Sequence, residues 1–194
     1  MKIFQQNKLL RKLSFHHLSK PWARKKYQLI KSYLKNSEPI IDIGSGKCAI
    51  TWLLRKNGYR VIPLDINDLS LAPNIQPIIY DGQTIPFPDN HFKQALLLTV
   101  LHHTPHPEQL IQEAARVAQE IIIIEDIYSS LIQKYLTYGM DSLMNFEFIG
   151  HPHNNKKEQE WQKIFKKLEL EIIDCSKTRT FFYFQQICFY LKLK

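Results

Sequence analysis

The sequence has few cysteines, and those it has are poorly placed for structural work. Cys48, Cys175 and Cys188 are odd in number and far apart, and no Cys-x-x-Cys pair occurs. That argues against a disulfide framework and against a structural zinc site, and it suits a reducing, cytoplasmic setting. Long apolar runs are also missing. The longest, Ile121 to Ile124 and Ala95 to Leu98, fall far short of the roughly 18 residues a membrane span needs, so a soluble chain is expected. Residues 1–35 contain no acid at all. They also lack an apolar stretch followed by a small-residue cleavage site, so a cleavable leader is not expected. Internal repeats and low-complexity tracts are absent.

The missing acids explain the charge. The net charge is +8, with ten Lys or Arg in residues 1–35, while sixteen basic residues meet eighteen acids in the remainder. The excess therefore belongs to a basic, helical N-terminal segment, taken as 1–37. A lone basic run such as Arg24-Lys25-Lys26 is more often a solvated helix face, while Trp22 and Tyr27 nearby leave room for an anionic partner, either a nucleic acid or a membrane surface. Within 22–35, Trp22, Tyr27, Ile30 and Leu34 stand near helical spacing, as in a helix packed on a sheet.

From residue 38 to 194 the chain reads as one domain of a size that buries a single core. Strands are expected at 39–43, 59–65, 76–80, 94–100 and 120–125. Helices are expected at 47–57 and 107–118, with a short turn-rich one near 67–72. Near-continuous apolar strands alternating with helices imply a parallel sheet covered on both faces, an open Rossmann-like α/β fold. A helix at 157–168 then precedes strands at 170–176 and 180–191, joined by a turn at Ser176-Lys177-Thr178-Arg179. That hairpin is expected to add antiparallel pairing at one edge.

The first strand, Ile40-Ile41-Asp42-Ile43, runs into Gly44-Ser45-Gly46 and then a helix, the context a glycine loop needs to bring backbone against a ligand. Asp65 closes the second strand nineteen residues after Gly46, where an acid accepts hydrogen bonds from ribose hydroxyls. By themselves these features suit a nicotinamide dinucleotide, another nucleotide or S-adenosylmethionine, since Gly44, Gly46 and Ala49 also satisfy a loose dinucleotide pattern.

Further motifs narrow the choice. Tyr80-Asp81-Gly82 ends the third strand, Ile85-Pro86-Phe87-Pro88-Asp89-Asn90-His91-Phe92 follows, and Thr99-Val100-Leu101-His102-His103-Thr104 ends the fourth. This order resembles the class I S-adenosylmethionine-dependent methyltransferases, in particular the type 11-like members, over residues 38–127. The resemblance implies S-adenosylmethionine as cofactor. It sets Gly44, Ser45 and Gly46 against the methionine and ribose, and Asp42 near the amino group. Asp65, with Ile66 beside it, falls on the ribose, Asp81 and Gly82 on the adenine, and Thr99 and Val100 at the methyl-donating end. Cys48, where the family has a third small residue, reads as buried packing. Lys93 departs from a common acid, away from the pocket.

Methyl transfer is an in-line displacement, and a base is optional. His103, and less so His102, could take a proton from the acceptor, although each by itself reads first as a packing or capping residue. His106 reads as a solvated loop residue, and the three histidines have no further ligand at metal spacing. Glu125-Asp126, Asp141, Asn145, Glu147 and the His151–Asn155 loop belong, by the resemblance, near a small-molecule or lipid-like acceptor. Phe181-Phe182-Tyr183-Phe184 reads as core and edge packing. The oxidoreductase alternative is disfavoured because its Tyr-x-x-x-Lys pairs, Tyr27/Lys31 and Tyr190/Lys194, fall at the chain ends. An RNA-associated methyltransferase, or a nucleic-acid-binding protein, using the basic segment is the other alternative. Against base amino methylation, the fourth strand ends in Leu101-His102-His103-Thr104 and not in the Asp/Asn-Pro-Pro-aromatic element that such enzymes use.

Overall fold

The structure, a computed structural model, describes residues 7–130, 133, 135, 154–180 and 184–193. Asp141, Asn145, Glu147, His151–His153 and Phe181–Tyr183 lie outside them. A long helix opens the chain: α1 (Lys8–Ser14), a π-turn (Phe15–Ser19) and α2 (Lys20–Ile30) follow one another without a break. Then come β1 (Ile40–Ile43), α3 (Ala49–Lys56), β2 (Val61–Asp65), β3 (Ile78–Ile79) and β4 (Phe92–Leu98). A 3₁₀ turn (Leu101–His103), α4 (Pro107–Val117) and β5 (Ala118–Ile127) complete the first half. α5 (Glu158–Lys167), β6 (Leu170–Thr180) and β7 (Phe184–Leu193) follow.

Among the described residues seven strands form one sheet in the order β3-β2-β1-β4-β5-β7-β6. β1 to β5 run parallel, while β7 inserts antiparallel between β5 and β6. The two-residue alternation of side chains divides each central strand between two cores. Ile41, Ile43, Ala95, Leu97, Ile121 and Ile123 meet α4 and α5 through Leu110, Ala114, Trp161 and Phe165. Ile40, Leu96, Leu98, Ile122 and Ile124 meet α2 and α3 through Ala23, Ile30, Ile50 and Leu54. Both faces are covered, which is why these strands carry no polar alternation.

Several local expectations change, among them the third strand, which shortens from 76–80 to Ile78–Ile79. Residues 67–72 form no helix: Asp68 Oδ1 accepts the Ser70 N–H and the Ser70 hydroxyl donates to the Ile75 carbonyl, so side chains take over the bonds a helix would use. The fourth strand covers 92–98 rather than 94–100, because Phe92 already pairs with Ala118 and Thr99 turns to φ 61°. The Ser176–Arg179 turn is strand: these residues pair with Cys188, Ile187, Gln186 and Gln185. Polar and charged residues that look like a turn are well suited to an outermost strand, where charge discourages further pairing. The N-terminal helix ends at Ile30 rather than at 35, with the chain turning over 31–33.

Candidate active site

Parallel strands all present their carboxyl ends on one side, so residues scattered along the chain meet there. Asp42 is buried near the end of β1 and accepts a hydrogen bond from the Thr51 hydroxyl on α3. Burial pushes its carboxyl up to about 6; the Thr51 bond and the Lys26 ammonium oppose the rise. Gly44 and Gly46 follow with φ +70° and +50°. A Cβ on Gly44 would stand 2.2 Å from Val100 Cγ2, so β1 and the end of β4 close together only with glycine here. A Cβ on Gly46 would meet nothing within 4 Å, which leaves open space above the loop for a ligand.

Asp65, at the end of β2, organises that loop. Its Oδ2 accepts the Gly46 N–H at 2.7 Å and its Oδ1 accepts those of Ile66 at 2.8 Å and Asn67 at 3.3 Å. Ile66 is exposed. Asp81 is exposed just past β3, and its Oδ1 accepts the N–H groups of Gln83 and Thr84; those two bonds hold its carboxyl below the usual range. Gly82 follows at φ +80° beside Ile66 Cγ2. Cys48 is fully buried and burial pushes its thiol up to about 11, so it packs and does not react. Lys93 donates to Gln119, away from the crevice.

Thr99, a β-branched residue, sits in the left-handed region at the end of β4, a placement that needs outside support. Part of that support was not legible in the sequence. Lys26 reaches in from α2 and donates to the Leu98 carbonyl at 2.8 Å and to Thr99 Oγ1 at 2.6 Å. Burial lowers its pKa, and the carboxylates of Asp42, Asp126 and Glu125 pull the other way. Nothing in the spacing of Arg24-Lys25-Lys26 distinguishes this lysine from its neighbours.

Glu125, fully buried on β5, holds the turn after β4. Its Oε1 accepts the N–H groups of Val100 at 2.9 Å and Leu101 at 2.8 Å, and its Oε2 lies 2.6 Å from His102 Nδ1. His102 is 1% exposed, whereas His103, its ring 4.0 Å away, is half-buried. His106 is exposed. The Asn154 N–H donates to the His102 carbonyl and its amide to that of Thr104, so the described end of the 151–155 loop is tied down beside this turn. The Ile85–Asp89 stretch is clamped by Arg116, which donates to the carbonyls of Ile85 and Phe87 and to Asp89 and Glu113. That motif works structurally, through the Glu113–Arg116 pair on α4. Among the described residues no cluster of three or more His, Cys, Asp or Glu could hold a metal ion. A shallow cavity lined by Asp89, Arg116, Leu168 and Leu193 lies at the amino ends of β4 and β5 and contains none of the predicted site residues.

The donor set decides which cofactor fits. Asp42, Asp65, Glu125 and Asp126 lie toward the carboxyl ends of β1, β2 and β5, and Asp81 follows β3, an acidic setting that disfavours a pyrophosphate. It suits an adenosine ligand carrying an ammonium and a sulfonium. Residues 41–120 match the family described as Methyltransferase domain. No curated protein sequence matches the chain. Among solved structures, an SAM-dependent methyltransferase of Methanosarcina mazei is 20% identical at TM-score 0.66, covering 84% of this chain and 96% of its own. A chain of the complex between the Haloferax volcanii Trm112 methyltransferase activator and its methyltransferase is 11% identical at TM-score 0.73, covering 98% and 96%. Magnesium protoporphyrin IX methyltransferase of Synechocystis PCC 6803, solved with bound SAH, is 18% identical at TM-score 0.63, covering 89% and 83%. Strand order agrees with the fold of these solved structures, and residues 41–120 are similar to the family described as Methyltransferase domain.

Proposed function

We propose that the protein moves the methyl group of S-adenosylmethionine to an oxygen, nitrogen or carbon nucleophile of a small-molecule or lipid-like acceptor in the cytoplasm. The observation that carries this reading is the open space above Gly46, whose N–H is held by the Asp65 carboxylate at the end of the neighbouring strand. When bound, the cofactor supplies an electrophilic methyl on a sulfonium. Asp65 would accept from the ribose hydroxyls with the lone pairs its backbone bonds leave over. Asp81 would receive the adenine amino group. Because the Gln83 N–H is already given to Asp81, the contact to a ring nitrogen falls to Gly82. Gly44, Ser45 and Gly46 would admit the methionine portion, and Asp42 would favour its ammonium. Lys26 stands where it could meet the carboxylate of that same portion.

Thr99 and Val100, held by Lys26 and Glu125, would line the reacting end and exclude water. His103 is the better candidate for taking a proton from the acceptor, because His102 is buried against Glu125 and serves to position the turn. Orientation alone is worth up to roughly 7–11 kcal/mol in such reactions, so the base is an addition to catalysis and not its foundation.

A second reading makes the protein an activator-dependent or RNA-associated enzyme. Exposed Ile78 and Ile79 on β3, an outermost strand of the sheet, favour it, since such an edge accepts a partner strand. The discriminating experiment incubates the purified chain with methyl-labelled cofactor and fractionated cell extract. Label in small-molecule or organic-soluble fractions supports the first reading, and label confined to RNA refutes it.

A further inference from the structure

The N-terminal helix carries two kinds of surface that the methyl-transfer site does not use. Its docked part begins at Phe15, which is buried edge-on against Trp52 at 5.4 Å, with the Lys20 ammonium 4.4 Å above the same indole. Before that point α1 overhangs, yet it is a specified helix: Asn7 Oδ1 accepts the N–H groups of Leu9 and Leu10 as an N-cap. Its leucines are uncovered. Leu9 is 65% exposed, Leu10 37% and Leu13 45%, and Leu18 in the π-turn is 46% exposed. By the helical step, positions 9, 10 and 13 share one side, whereas positions 8, 11 and 12, all Lys or Arg, fall on the other.

Charge and apolar surface together select the partner. A helix meant only for solvent has no use for three neighbouring exposed leucines. A nucleic acid would reward the lysines and leave the leucines in water. An anionic lipid surface rewards both, by attracting the basic side chains and taking the leucines into the headgroup boundary. The acid-free stretch of residues 1–35 supplies that charge complementarity. We propose that α1 docks the protein on an anionic membrane surface, with Leu9, Leu10 and Leu13 inserted and the basic residues at headgroup level. At a rise of about 1.5 Å per residue, Leu13 lies roughly 20 Å along the helix from Lys26, so docking holds the crevice near the lipid surface. The proposal goes beyond methyl transfer and stands or falls without it.

The test sediments the full chain with vesicles of phosphatidylcholine alone or with about 30% phosphatidylglycerol, at about 0.1 M salt. Partitioning at least about tenfold stronger to the anionic vesicles is expected. Leu9→Ser with Leu13→Ser should weaken it by on the order of ten- to a hundredfold, while retention on heparin stays unchanged. Lys8→Gln with Lys12→Gln should weaken both. Equal binding to neutral and anionic vesicles would overturn the proposal, as would leucine variants that partition like the parent. So would tighter binding to an RNA oligonucleotide than to vesicles, or leucine-dependent self-association without vesicle binding.

Discussion

Replacing Asp65 by Asn probes the loop and the cofactor site with one atom. The carboxylate has two acceptor oxygens, one on the Gly46 N–H and one on those of Ile66 and Asn67. An amide offers one oxygen and one NH₂. If the oxygen stays on Ile66 and Asn67, the NH₂ faces the Gly46 N–H donor to donor, and the loop loses its tie to β2. One such bond is worth about 1–3 kcal/mol to a charged acceptor, so stability should fall by about 1–2 kcal/mol, because the site is partly open to water. The ribose hydroxyls lose more. Trading charge-assisted bonds for neutral ones, with one acceptor gone, removes about 2–3 kcal/mol, or roughly 30- to 150-fold in affinity. Titration calorimetry with S-adenosylhomocysteine measures the affinity, and denaturant unfolding the stability. Affinity within about threefold of the parent would refute the ribose assignment. An intact affinity with the expected stability loss would assign Asp65 to the loop alone.

Gly44→Ala should abolish cofactor binding and lower the melting temperature, because the new Cβ collides with Val100 and the position needs φ +70°; an unchanged melting temperature would contradict the geometry. Asp42 gives a pH signature. Its carboxyl is raised from 3.8 to about 6 in the folded chain, so the protonated form favours folding. Stability should therefore fall as pH rises from about 4 to about 6, by up to about 3 kcal/mol relative to Asp42→Asn, and parallel curves for the two would sink the reasoning. Lys26→Met should weaken cofactor binding roughly ten- to a hundredfold and move the Asp42 transition to higher pH, read in the same calorimetric and unfolding experiments. His103→Ala should lower kcat by roughly 10²–10⁴-fold with cofactor affinity unchanged, whereas His102→Ala should chiefly destabilise the fold. The reverse pattern would exchange their roles.

The frame of the fold was legible because parallel strands and their helices are local patterns repeated. Ile40–Ile43, Val61–Asp65 and Ala118–Ile127 are strands whose apolar content shows in any short window. Residues 67–72 and 176–179 were misread because polar residues serve both turns and outer strands, and only pairing partners decide between them. The positions of Asp42, Asp65 and Asp81 follow once strand ends are known, since chain direction alone brings them to one side.

The chain order of Asp42, Gly44, Gly46, Asp65, Asp81 and Gly82 by itself set these residues at or just past the carboxyl ends of three strands, where the proposed cofactor would lie. Only the tertiary structure decided which histidine is held, by Glu125 from a neighbouring strand, and that Lys26 enters the crevice. It also decided that Gly44 is required by Val100, and that β7 slips between β5 and β6. The division has one physical cause. Periodicity and turn chemistry act within a few residues, whereas a buried carboxylate or ammonium takes whichever distant partner satisfies it once the layers have packed.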